Sequence, residues 1–260
     1  MSDDRDSKGN GQPKPALPGR EATAKPLPKR FYKKVEVGPA NPSGAHTILL
    51  DGRVARTPGK RELRLASKLL AEAVATEWHV QQTAIDPATM PLTRLVNTAI
   101  DGVEARMADV AADIVKYAGS DLLCYRADYP DGLAARQREL WDPVLAWIAE
   151  RHGASFTVAS GLMPVAQPDE AGRRIAAAVA PLDALHLTAL HVMTTLMGSA
   201  LLGLAVVGAR LTPEAAWEAA HVDEDWQIAE WGEDAEAMAR RERRWREMQA
   251  ASALVRLAAA

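Results

Sequence analysis

The chain has 260 residues, 48% hydrophobic and 25% charged, enough for one large domain or two modest ones with a real core; this excludes a fibrous or wholly disordered protein. With 31 Lys and Arg against 34 Asp and Glu the formal net charge is −3, so no global attraction draws the chain to nucleic acid or to an anionic membrane. One cysteine, Cys124, excludes an intramolecular disulfide and any CxxC zinc or dithiol motif, which fits a reducing compartment.

Residues 1–29 hold five prolines and three glycines with almost nothing β-branched or aromatic, the composition of a disordered tail. There is no apolar h-region, and Asp3, Asp4 and Asp6 argue against an acid-poor presequence, so a cytoplasmic location is expected. From Arg30 to Leu65 short β-type runs follow one another: 31–37, 47–50, 54–57 and 63–65. Asp51-Gly52 favours a two-residue type I′ hairpin and Pro58-Gly59 marks the next reversal, giving an antiparallel meander. Ser67 is a suitable N-cap for a helix that places Leu69, Leu70, Ala73, Val74 and Trp78 on one face, toward the sheet.

Asp86-Pro87 and Met90-Pro91 break the chain, after which 92–100 and 104–118 have helical patterns. Residues 122–126 and 155–158 have strand character and flank a helix around Leu133 to Ile148, which Asp142-Pro143 is expected to split in two. Cys124, within the first of these runs, is expected to be a small buried hydrophobe. Beyond Pro168 nearly everything is helical, ending in a long stretch from Pro213 toward Arg246. The fold class is therefore α+β: a small N-terminal antiparallel β-sheet with packed helices, then a mainly α-helical domain. The expected divisions are the tail 1–29, an α/β domain 30–160 and a helical domain 161–260.

Residues 187–208 contain no Lys, Arg, Asp or Glu over 22 positions, the length of a membrane span. His191, three threonines or serines beyond Thr188, and the lack of an aromatic belt favour instead a buried central helix, without stable membrane insertion. Gly198 and Gly203 are expected to permit close helix crossing. His186 and His191 are five residues apart and cannot share a metal as an i, i+4 pair would.

The densest group of potential ligands is His221, Asp223, Glu224 and Asp225. On one regular helix started at Trp217, Glu224 falls on the apolar stripe with His221, Ile228 and Trp231, while Asp223 and Asp225 point elsewhere and Trp226 lies opposite. A metal-dependent enzyme built on His221, Asp223 and Glu224 would need that helix bent or broken. A carboxylate on an apolar stripe needs a partner: an internal arginine such as Arg94, or a donor supplied by another protein. Trp226 is correspondingly either a core residue or an exposed anchor.

Several blocks taken in order carry a family resemblance: Arg30-Phe31-Tyr32-Lys33, Leu50-Asp51-Gly52-Arg53, Ala75-Thr76-Glu77-Trp78, Met90-Pro91-Leu92-Thr93-Arg94-Leu95 with Asn97-Thr98, Asp121 to Arg126, Gln137 with Trp141-Asp142-Pro143, and Glu224-Asp225-Trp226-Gln227 with Trp231-Gly232. The set resembles the assembly chaperone of F-type ATP synthase that serves the alpha subunit of its soluble catalytic sector, in a bacterial form. The resemblance implies a protein without catalytic residues, cofactor or metal, monomeric when free, that binds the unassembled alpha subunit. It further implies that Glu224, Trp226, Gln227 and Trp231 meet the partner, and that Trp78, Arg94 and Asn97 are structural. Ala66-Ser67 stands where the family pattern has Pro-Ser.

Overall fold

The computed structural model describes residues 26–42, 44–161, 163 and 165–259. Most of the tail expected over 1–29 lies outside the described residues; within it, Lys29 bridges to Ala84 and the Pro28 carbonyl accepts the Ile85 N–H at 2.8 Å.

Four short strands, β1 (Val35–Val37), β2 (His46–Leu50), β3 (Arg53–Val54) and β4 (Arg64–Leu65), pair antiparallel around β2. Asp51 (φ 49°) and Gly52 (φ 78°) both adopt the left-handed conformation that a type I′ hairpin requires. The Pro58-Gly59 reversal is pinned from afar. Asp101 accepts from Thr57 Oγ1 at 2.6 Å and Gly59 N at 2.7 Å, and a Cβ on Gly59 would come within 2.6 Å of that carboxylate. Only glycine leaves room there.

Helix α1 (Lys68–His79) is capped by Ser67, whose hydroxyl accepts the Leu70 N–H at 3.1 Å. It buries Leu70, Ala71, Val74 and Ala75 against the sheet, whereas Leu69 is exposed. The buried stripe is thus rotated from the one expected, with Ala71 and Ala75 turned inward beside Leu70 and Val74. Helix α2 (Pro91–Thr98) begins at Met90, which supplies no side-chain cap. Glu77 of α1 does so instead, accepting from Leu92 N, Thr93 N and Thr93 Oγ1 at 2.8, 2.7 and 2.7 Å. Burial raises the Glu77 carboxyl above its ordinary value even against those bonds. After a wide turn over 99–103, α3 (Met107–Ala118) follows.

The run 122–126 is only partly a strand. Asp121 caps a 3₁₀ turn over Leu122–Cys124, leaving β5 as Tyr125–Arg126, parallel to β6 (Ala159–Ser160). The strand expected over 155–158 fails because Gln167 takes both backbone groups of Thr157, at 2.8 and 2.9 Å. Between them α4 (Asp131–His152) runs unbroken through Pro143. The expected split does not occur: Pro143 and Glu139, whose carbonyl loses its partner, are both exposed, so the lost hydrogen bond costs little in solvent. Asp142 is engaged by Arg126 at 2.8 Å, and its side chain does not act as an N-cap.

Helices α5 (Asp169–Val179), α6 (Ala184–Met197), α7 (Ala200–Val207), α8 (Pro213–Ala220), α9 (Val222–Trp231) and α10 (Ala235–Ala258) complete the chain. The apolar run 187–208 is broken at Gly198 (φ 67°) and Ser199, and among the described residues no helix is long and apolar enough to cross a membrane. Gly198 ends a helix, and a Cβ there would meet nothing within 4 Å; Gly203 makes the close crossing, since a Cβ there would lie 2.8 Å from Leu190. α6 sits centrally, packed by α2, α3, α7 and α10, and the buried side chains form one cluster from Tyr32 to Leu254.

At its centre Asp121 is fully buried. It accepts from Ser199 Oγ at 2.7 Å, Leu201 N at 3.1 Å and Leu123 N at 3.2 Å, and burial pushes its carboxyl up to about 6. Because the folded value lies above the ordinary 3.8, the folded state holds this proton more tightly. The resulting stabilisation is complete below pH 4 and is lost as pH rises through 6, at most about 3 kcal/mol. In urea unfolding, the stability of wild type relative to Asp121→Asn should therefore be greater at pH 4 than at pH 7; a difference independent of pH would show that Asp121 ionises normally. Trp78 packs against the core with its ring 5.7 Å from Tyr32, whose hydroxyl donates to the Trp78 carbonyl at 2.7 Å. Trp78→Arg should lower the melting temperature by at least about 5 °C; calorimetry checks this.

Candidate functional site

The long helix expected from Pro213 onward is three helices. His221 ends α8 and begins α9 (φ −113°, ψ 17°), and Gly232 (φ 89°) ends α9 before Asp234 caps α10. The His221 ring turns inward, 3.9 Å from Trp217, and its Nδ1–H donates to the Trp217 carbonyl at 2.8 Å. Burial lowers its pKa and favours the neutral ring. A wheel drawn continuously from Trp217 therefore misplaces every residue after 221.

Helix α9 buries only Val222 and is held at three points. Gln137, itself buried on α4, accepts the Ala127 N–H at 2.8 Å and donates from Nε2 to Asp223 at 2.6 Å. Asp225 is paired with Arg241 of α10. Trp226 lies across Gly132 at the start of α4, so closely that a Cβ there would fall 2.5 Å from the indole. The neighbouring α8 is tied to α4 by Trp141 Nε1, which donates to the Ala219 carbonyl at 2.7 Å, and by Arg136, which pairs with Glu218.

These clamps divide the four expected partner residues between two faces. Trp226 is half-buried and looks into a groove of about 510 Å³ shared with Leu140, Val222 and Ala229. Glu224, Gln227 and Trp231, spaced i, i+3 and i+7, occupy the outward face; the first two are exposed and Trp231 is 86% exposed. Glu224 is thus not on a buried stripe and has no ion pair among the described residues. Arg94, the internal partner considered for it, lies on α2 and reaches Glu247 of α10 at 3.4 Å. Asn97 is half-buried with its Oδ1 unpaired, as is Trp78 at Nε1.

The carboxylates at 223–225 diverge: Asp223 toward Gln137, Asp225 toward Arg241 and Glu224 toward solvent, with His221 turned inward. No group of three or more His, Cys, Asp or Glu among the described residues is placed to hold a metal ion. His186 and His191 pair with Asp183 and Asp113 at 2.8 and 2.9 Å, and the fully buried Cys124 thiol is pushed up to about 12 by burial. What the outward face offers is a carboxylate, a carboxamide and an indole. Of the groups that position it, Gln137 is visible in the sequence only as a lone glutamine four residues before Trp141, and nothing local links it to Asp223.

The sequence matches the ATP12 chaperone protein family over residues 29–149. The crystal structure of Atp12 from Paracoccus denitrificans is 41% identical, covers 89% of this chain and 98% of its own, and superposes with a TM-score of 0.84. The Atu1473 protein from Agrobacterium tumefaciens is 45% identical over 95% of this chain and 92% of its own, with a TM-score of 0.85. With identities of this size across nearly the whole of both relatives, the chain belongs to the ATP12 chaperone family.

Proposed function

We propose that this protein holds the unassembled alpha subunit of F-type ATP synthase and delivers it for assembly of the soluble catalytic sector, as a monomer in the cytoplasm and without ATP hydrolysis. Family membership supports a chaperone role, and the observation that carries the docking site is Trp231, 86% exposed on a helix face that none of the described residues covers. A subunit destined for an obligate oligomer carries a large apolar interface that aggregates when free. A chaperone that masks this surface must also leave it. A single exposed tryptophan beside Glu224 and Gln227 suits reversible contact, because such anchors concentrate binding in few side chains.

Tagged protein drawn from a lysate of its own source should bring down the alpha subunit without the beta subunit, identified by mass spectrometry. Recovery of neither, with the bait folded, would refute the reading. Because Glu224 is exposed and forms no salt bridge among the described residues, Glu224→Lys should melt within about 2 °C of wild type while recovering several-fold less alpha subunit. A large fall in melting temperature would instead reveal an internal role for this carboxylate.

A further inference from the structure

From Val222 to Glu236 the chain carries seven carboxylates and no lysine or arginine. Four are engaged internally: Asp223 by Gln137, Asp225 by Arg241, Asp234 by the Ala237 N–H it caps, and Glu236 by Arg240. Glu224, Glu230 and Glu233 are exposed, and no arginine or lysine of the described residues pairs with them. On the neighbouring helices, Arg136 is held by Glu139 and Glu218, Arg240 by Glu236, Arg241 by Asp225 and Arg246 by Glu242. On the face of Glu224 stands the most exposed of the large apolar side chains described, Trp231, two helical turns or about 10 Å beyond it.

We infer that the outward face of α9 docks against a cationic apolar protein surface: an arginine that reaches Glu224, and, about 10 Å further on, an apolar recess for the Trp231 indole, rimmed by positive charge facing Glu230 and Glu233. The charge left on this face selects the occupant. It repels nucleic acid and anionic lipid and attracts a basic protein segment. Arginine suits both ends, since its planar fork pairs with a carboxylate and also stacks on an indole. The three clamps on the inner side fix α9 before docking, so little order has to be gained when the partner arrives. The identity of the partner rests on the alpha-subunit reading; its chemistry rests on the face itself.

The test uses the full chain and two probes. The first is purified alpha subunit, with affinity measured at 50 and 300 mM NaCl. Wild type should weaken at least tenfold between the two salts, Trp231→Ala should bind at least tenfold more weakly, and Glu224→Gln should bind about fivefold more weakly with a flatter salt slope. Glu150→Gln, an exposed position near the far end of α4, serves as the control that should bind like wild type. The second probe is a 16-residue helical peptide with arginines and leucines on one face, against the same peptide with glutamate for arginine. The arginine peptide alone should shift tryptophan emission to the blue, and Trp231→Ala should abolish the shift.

Equal binding of the alpha subunit by wild type and Trp231→Ala, indifference to salt, or equal response to the two peptides would overturn the inference. Dimerisation of the free chain that Trp231→Ala abolishes would also overturn it, by making a second copy the occupant. If wild type fails to bind the alpha subunit yet binds the arginine peptide through Trp231, the alpha-subunit reading falls and the chemistry of the face stands.

Discussion

The helical part of this fold is organised by one buried carboxylate. Asp121 has no exposed surface, and an aspartate left unpaired in such a place would cost several kcal/mol. It is offset by donors from two separate segments, the turn it caps itself and the start of α7 with Ser199. The N-terminal dipole of α7 points at the same carboxylate and adds to the compensation. This requires the apolar run 187–208 to stop, turn at Gly198 and restart at Ser199. A continuous helix through that run would carry the donors of Ser199 and Leu201 away and leave the aspartate unsatisfied. Once the break exists, α7 folds back on α6 and Gly203 can meet Leu190 closely. A potential membrane span becomes two halves of a core.

The features legible in the sequence are those whose cause lies within a few residues. Asp51-Gly52 makes its hairpin and Ser67 caps its helix because the deciding atoms are neighbours in the chain. Where the cause is distant, local pattern misleads. Nothing near Pro91 shows that Glu77, on the previous helix, caps α2, and Met90 gives no cap signal at all. Pro143 carries a strong local instruction to break, yet it lies on the solvent side of α4, where the lost hydrogen bond is cheaply replaced. The residues 155–158 alternate like a strand until a glutamine ten positions later captures Thr157.

The same limit explains the candidate site. The composition of α9 sets tryptophans and carboxylates side by side, but the sequence alone does not give its orientation. That depends on His221, whose side chain takes a backbone carbonyl and turns the chain by an amount no periodicity records. Two of the four residues expected to act together, Trp226 and Trp231, in consequence serve different surfaces: one fills a seam against α4 and the other faces outward.

A ten-residue helix with one buried side chain is marginal by itself, and its amphipathic pattern alone would let it roll. Directional clamps prevent this. Asp223, Glu224 and Asp225 are consecutive carboxylates, about 100° apart around the axis, so a roll by one residue would exchange an inward acid for the outward one. Gln137 recognises Asp223 from one side and Arg241 recognises Asp225 from the other, and with both satisfied only Glu224 can point away. Apolar packing is non-directional and would accept several rotations, and it would draw Trp231 inward as readily as Trp226. Polar contacts on the inner face are what allow a large indole and an exposed carboxylate to stay in water at a fixed spacing.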